Sequence, residues 1–203
     1  MNKRLTLFFD IGGVILNNGW DTPLRQAAAA AFGLDYTEFQ ARHEMLKTPF
    51  ETGKMSIEQY IQKAVFFHPR SFTLEDFKAH MFEHSRVLGE TLEFVRALAS
   101  KGDCRLYTLN NESRELHEYR VKKFGLDSLF RGFLTSCYLG QAKPDERIYL
   151  NALGIASCAR ADALFIDDRA LNVGAALALG LNALRFQNLD GLRAALKEYG
   201  LEA

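Results

Sequence analysis

From residue 90 to the end of the chain, short apolar runs alternate with helical patterns, and this alternation constrains the fold more than any other feature. Residues 104–109, 132–136, 161–166 and 182–186 read as strands. Residues 91–100, 112–123, 146–153, 171–179 and 189–199 read as helices, with Gly125, Gly154 and Gly180 stopping three of them. Strands that alternate with helices build a parallel sheet of right-handed crossover units. Leu5-Thr6-Leu7-Phe8-Phe9 is a further strand, too short and β-rich for a helix, and it must join the same sheet to be buried. The expected class is α/β: a doubly wound, Rossmann-like parallel sheet.

Between the first strand and residue 88 the texture is helical. Thr22-Pro23 opens one helix as N-cap and first-turn proline, and Gly33 ends it. Residues 37–47 predict a second helix. Ser56-Ile57-Glu58-Gln59 is a capping box for a third, closed by His68-Pro69, and Thr73 caps a fourth running to about residue 85. The chain therefore divides into an α/β core, residues 1–16 and 88–203, and an inserted α-helical cap domain, residues 17–87. Hinges are expected at Asn17-Asn18-Gly19 and Leu88-Gly89.

Composition removes several function classes. Lys+Arg and Asp+Glu are 25 each, so a dominant nucleic-acid or anionic-membrane role is not expected. No apolar run approaches a membrane span. The start Met1-Asn2-Lys3-Arg4 is basic, but the apolar run behind it ends on Asp10 and does not read as a signal peptide. Three cysteines, widely spaced, make neither a disulfide framework nor a zinc signature and point to a reduced, cytoplasmic setting. Nothing in the pattern sets an oligomeric state.

The polar residues at strand ends carry the chemistry. Asp10 ends the first strand and is followed by Ile11-Gly12-Gly13; taken alone it is a metal ligand, a nucleophile or a strand terminator. Asn110 and Asn111 end the next strand, Asp167 and Asp168 a later one, and Lys143 lies in a loop entering a helix. In a parallel sheet all of them fall on the carboxyl edge, where ligands bind. Three carboxylates need a counter-charge. A hard cation such as Mg²⁺ supplies it, and it is often shared with phosphate oxygens. Lys143 adds a second positive charge, the backbone N–H groups of Ile11, Gly12 and Gly13 can cradle phosphate, and Asn110 and Asn111 add amides. Such a site suits phosphoryl transfer to an Asp carboxylate. The expected partner is a small phosphorylated molecule.

Phe9-Asp10-Ile11-Gly12-Gly13-Val14, Leu109-Asn110-Asn111-Glu112, Lys143-Pro144-Asp145-Glu146-Arg147-Ile148-Tyr149 and Phe165-Ile166-Asp167-Asp168-Arg169 resemble, in order, the four motifs of the haloacid dehalogenase-like (HAD) superfamily. The match is most similar to bacterial sugar-1-phosphate phosphatases and to the phosphatase half of soluble epoxide hydrolases. The resemblance implies Asp10 as nucleophile and Mg²⁺ ligand, the main-chain carbonyl of Gly12 and the pair Asp167 and Asp168 on the metal, and Lys143 and Asn110 on the phosphate. Many such phosphatases carry a second Asp at the position of Gly12, where it protonates the leaving oxygen, and a Ser or Thr at the position of Asn110. Proton donation is typically worth about 10²–10⁴-fold. Its loss favours leaving groups of low pKa, such as sugar 1-phosphates, unless a cap residue supplies the proton; His43 and Glu44 are candidates.

Asn17, Asn18 and Trp20 follow the first motif and either touch substrate or form the turn and the cap core. Asn172 is a candidate to orient Lys143 or Asp168. Two rival functions remain at this level: a 2-haloacid dehalogenase-type hydrolase, or a catalytically weak binding or regulatory member.

Overall fold

The structure is a computed structural model and describes residues 4–202; Met1-Asn2-Lys3, the start of the basic stretch weighed against a signal peptide, lie outside the described residues. Five parallel strands form one sheet: β1 (Thr6–Phe9), β2 (Arg105–Asn110), β3 (Gly132–Thr135), β4 (Ala163–Asp167) and β5 (Asn182–Arg185). Their order is β3-β2-β1-β4-β5. β1 is central because all four of its residues are buried, which requires a neighbour on each side and helices on both faces.

The period of two divides the core. Leu7 and Phe9 pack with Leu106, Leu164 and Ile166 against α5 (Thr91–Lys101) and α10 (Leu189–Glu198). Phe8 points the other way, into Leu109, Phe165 and the buried faces of α8 (Glu146–Ile155) and α9 (Ala170–Ala178). Register then aligns the strand ends: Phe9 pairs with Thr108 on one side and Ile166 on the other. Asp10, Asn110 and Asp167 thus reach the same edge.

Two short boundaries differ from expectation. α8 runs through Gly154 and is capped at Ala156, since Leu153 is buried and holds the helix past the glycine. A single-turn helix, α7 (Ser136–Leu139), follows β3 directly and meets α6 (Arg114–Phe124) through the edge-on contact of Tyr138 with His117.

Between β1 and α5 lie α1 (Thr22–Phe32), α2 (Tyr36–Glu51), α3 (Ile57–Ala64) and α4 (Leu74–Glu83), which share an apolar cluster of their own around Phe39, Phe50, Tyr60 and Phe77. The capping boxes at Ser56 and Thr73 both form. The cap of α1 is Asp21 rather than Thr22; its carboxylate accepts from Leu24 N at 3.1 Å. α3 ends at Ala64, before His68.

The informative departure is α2, which continues one turn beyond residue 47 and through Pro49. Proline inside a helix costs about 3 kcal/mol. Burial of Phe50 contributes about 1.5–3 kcal/mol in return. Its stack on Tyr60, at 4.3 Å and 8°, adds about 0.5–1.5 kcal/mol. Thr52 Oγ1 and N both reach the Thr48 carbonyl, at 2.7 and 3.0 Å, and close the end.

The two connections between the helical segment and the sheet are pinned together. Asn17 N donates to Arg86 O (3.0 Å), Asn17 Nδ2 to His84 O (3.0 Å), and Arg86 N to Asn17 Oδ1 (2.9 Å). Leu88 N adds a bond to Ile15 O at 3.0 Å. Asn17 is therefore a clamp between chain segments, not a substrate-facing residue; its amide is spent on backbone groups. Asn17→Ala leaves those groups short of partners and is expected to destabilise the fold by about 1–3 kcal/mol in denaturant titration.

Candidate active site

Asp10 sits just past β1. Its backbone N–H donates to Ile166 O at 2.8 Å, and its Oδ1 accepts from Ile11 N at 2.8 Å. Lys143 arrives from the loop after α7, held at its backbone by Asn111: Lys143 N donates to Asn111 Oδ1 (2.8 Å) and Asn111 Nδ2 to Lys143 O (2.9 Å). Its ammonium is buried and meets three acceptors: Leu109 O at 2.7 Å, Asp167 Oδ2 at 2.6 Å and Asp10 Oδ1 at 3.1 Å.

The two aspartates of the pair have different surroundings. Asp167 is fully buried and saturated: besides Lys143 it accepts from Arg169 N (2.8 Å) and, on both oxygens, from Asn172 Nδ2 (3.1 and 3.0 Å). Asn172 thus orients Asp167 rather than Lys143 or Asp168. Asp168 Oδ1 is buried without a hydrogen-bond partner. Gly13, at φ +75°, passes so close that a Cβ there would fall 2.3 Å from Asp168 Oδ2. One ligand oxygen from each of Asp10, Asp167 and Asp168 lies within 4.8 Å of the others, the spacing of a site for a metal ion. Burial raises the carboxyl of Asp10 from the ordinary range, with Lys143 pulling against it and Asp167 and Asp168 adding to it. Asp168 is raised as well, first by burial and then by Asp167.

A cavity of about 300 Å³ opens on this edge. Of the expected residues, Asp10, Gly12, Asn18, Trp20, His43, Glu44, Asn111, Lys143 and Asn172 line it, whereas Ile11, Gly13, Asn17, Asn110, Asp167 and Asp168 do not. Asn18 Oδ1 stands where a side chain at residue 12 would project, 3.0 Å from a Cβ built there. Trp20 belongs to the apolar cluster of the helices, donating from Nε1 to Tyr60 Oη at 2.9 Å and packing edge-on against Phe39 and Phe77, and it also borders the cavity. Asn110 is a departure. It is buried, is not among the cavity-lining residues, and its Oδ1 accepts from Thr135 Oγ1 on β3 at 3.2 Å, which engages the amide oxygen and not the Nδ2 donor.

The proton-donor candidates separate. His43 Nδ1 lies 2.8 Å from Tyr60 Oη, and burial, with Arg25 and Lys47 nearby, pushes its pKa down to about 3. The ring is neutral at physiological pH. Glu44 is exposed and its Oε1 accepts from Gln40 Nε2 at 2.7 Å. Sequence reasoning missed Glu51, Ser113 and the buried pair Glu112–Arg120, 2.5 Å apart, all of which line the cavity. Arg120 also donates to the Asn17 carbonyl, tying the cavity wall to the clamp. Of these, the sequence marked only Glu112, as the last residue of the second motif.

The model of haloacid dehalogenase-like hydrolases matches residues 5–180, which spans every element that carries this site. The chain is a haloacid dehalogenase-like hydrolase. Among curated proteins, this hydrolase is 29% identical over 200 residues to the chloroplast flavin mononucleotide hydrolase 1 of Arabidopsis thaliana, covering 98% of this chain and 79% of that protein. The fold is shared with a HAD family enzyme from Bacteroides thetaiotaomicron at a TM-score of 0.77 and 18% identity, over 94% of this chain and 98% of that one; another structure of that enzyme is a complex with magnesium and inorganic phosphate. A solved dehalogenase shares it too, at a TM-score of 0.66 and 18% identity, over 92% and 86%. Among the described residues of the hydrolase, no helix is long and apolar enough to cross a membrane.

Proposed function

We propose that this hydrolase is a Mg²⁺-dependent phosphatase of small phosphorylated metabolites that works through an aspartyl-phosphate on Asp10. One observation carries the reading: the Asp10 carboxylate lines a cavity, has a buried ammonium at 3.1 Å, and lies within 4.8 Å of Asp168, whose Oδ1 is buried without a partner. That donor set fits a hard divalent cation, because three clustered carboxylates with one ammonium leave negative charge uncompensated. Asp10, Asp168 and the Gly12 carbonyl would hold the ion; Asp167, already saturated, would position Lys143. When bound, the ion neutralises phosphoryl oxygens and lowers the charge barrier to attack.

The remaining steps belong to the chain. Lys143 holds the phosphoryl group and favours the charged form of Asp10, and the N–H of Gly12 contributes a donor; contrary to expectation Ile11 N is spent on Asp10 Oδ1 and Gly13 N on Leu16 O, at 2.8 and 2.7 Å. An oxygen of Asp10 bonds to phosphorus as the ester oxygen departs, and water then releases phosphate. The likeness to a flavin mononucleotide hydrolase supports a phosphorylated substrate. The dehalogenase reading has less support, since an uncompensated acidic trio serves a cation rather than a halide. Helices α1–α4 serve as the cap, moving about the clamp at Asn17 to admit substrate. Three free cysteines support a reducing, cytoplasmic setting.

Two measurements test this. Phosphate release from a panel of phosphorylated metabolites is expected to need Mg²⁺ and to stop with EDTA; halide release from 2-haloacids without metal would contradict it. Saturating Mg²⁺ at about 100 Kd is expected to stabilise the fold by about 2.7 kcal/mol. Asp168→Asn should remove most of that gain without lowering the metal-free melting temperature, whereas Asp167→Asn should lower it.

Gly12 brings no carboxyl to the leaving oxygen. Either the leaving group departs unprotonated, which favours glucose 1-phosphate over glucose 6-phosphate, or another cavity group gives the proton.

A further inference from the structure

Resting on the phosphatase reading, we propose that Glu51, the last residue of α2, is the proton donor and acceptor of the reaction and stands in for the carboxyl that Gly12 lacks. Glu51 lines the same cavity as Asp10, Gly12 and Lys143. It reaches it only because α2 runs on through Pro49 for one more turn.

Its position is fixed from the sheet side. Ser136 Oγ donates to the Glu51 carbonyl at 2.6 Å. Two residues on, Gly53 at φ +71° passes the Cys137 carbonyl so tightly that a Cβ there would fall 2.1 Å from that oxygen. Only glycine permits both the conformation and the approach. The backbone that carries Glu51 is thereby docked against α7, directly after the strand that borders the catalytic edge.

The carboxyl itself is uncommitted: among the described residues no hydrogen bond or ion pair holds it. Charged groups face it from several elements. Lys47 lies one turn back on α2, Glu112 comes from the β2–α6 loop, Arg169 follows the acidic pair, and Arg25 comes from α1. Burial outweighs them and raises the carboxyl above its ordinary range, which favours a proton-bearing group. The other carboxyl and imidazole groups named at the cavity are spent or mismatched. His43 is neutral and bound to Tyr60, Glu44 is bound to Gln40, Asp21 caps α1 and Glu112 is paired with Arg120.

The step balances. An Asp10 oxygen forms a bond to phosphorus, the bond from phosphorus to the ester oxygen breaks with its electron pair on oxygen, and that oxygen takes the proton of Glu51. The Glu51 carboxylate then takes a proton from water as the water oxygen attacks phosphorus and the Asp10–phosphorus bond breaks. Phosphate and a reprotonated Glu51 result.

The test compares kcat/KM for p-nitrophenyl phosphate, whose leaving group needs no proton, with that for a primary alkyl phosphate, in the presence of Mg²⁺. Glu51→Gln is expected to lose about 10²–10⁴-fold in kcat/KM on the alkyl ester and far less on the aryl ester, whose kcat nonetheless falls because water attack on the aspartyl-phosphate has lost its base. The fall of the alkyl-ester rate at high pH, set in the parent by loss of the Glu51 proton, should disappear. Glu51→Asp, which keeps the carboxyl and shortens its reach, should fall between. Equal losses on both esters in a variant whose circular dichroism and melting match the parent, or no loss on either, overturn the assignment. If Glu51→Gln unfolds, the same two ratios are read from Glu51→Asp. A parent that hydrolyses neither ester with Mg²⁺ overturns the phosphatase reading itself, a result distinct from an unmoved ratio.

Discussion

Asp10→Asn is expected to lower turnover by about 10⁴–10⁶-fold, the scale on which loss of a covalent nucleophile acts, while leaving the fold as stable as the parent or more so. The reasoning lies in the surroundings. Asp10 is buried, its carboxyl is raised by that burial and by two further carboxylates, and Lys143 and the Ile11 N–H favour its charge without offsetting them. An amide keeps the shape and relieves the repulsion. Activity and stability should therefore move in opposite directions, as they do where a site is built for chemistry rather than for the fold. A circular dichroism melt beside the phosphatase assay checks both. A variant that retains the parent's turnover would remove Asp10 from the reaction.

Lys143→Met is expected to do the reverse to stability. The ammonium is the shared partner of Asp10 and Asp167 and also reaches the Leu109 carbonyl. Removing one partner of a buried ion pair costs about 3–5 kcal/mol, because the remaining charges are left in a poorly solvated interior. For a chain of 203 residues this is a fall of about 6–20 °C in melting temperature, measured in EDTA. Turnover should fall by at least about 10²–10³-fold, since the phosphoryl group loses a pre-placed positive charge. Asp10→Asn and Lys143→Met thus form a pair: both inactive, one stable and one not. Equal melting temperatures for the two would mean that Lys143 is not the counter-charge of the site.

Most of this arrangement was legible in the sequence because parallel sheets impose it. Once β1, β2 and β4 are recognised, register brings Asp10, Asn110 and Asp167 to one edge, and the loop lysine has few other carboxylates to meet. Capping chemistry was equally readable at Ser56 and Thr73, where the signal is local. What failed to show depends on tertiary contacts. Asn17 and Asn18 are adjacent and chemically identical, yet one clamps two chain segments and the other borders the cavity; only the position of residues 84 and 86 decides which. Asn110 reads as a cavity-lining residue, yet the structure buries it beside Thr135 of the neighbouring strand. Glu51 was hidden behind Pro49, because the burial of Phe50 that carries the helix past the proline comes from α3.

The account rests on a covalent intermediate at Asp10. The most direct measurement is mass spectrometry of peptides from enzyme quenched in acid during turnover of p-nitrophenyl phosphate with Mg²⁺. The account predicts one added phosphoryl group on the peptide containing Asp10, absent from the Asp10→Asn variant and from enzyme held in EDTA. Steady turnover with no phosphoryl group on that peptide, or with the group on another residue, would contradict it.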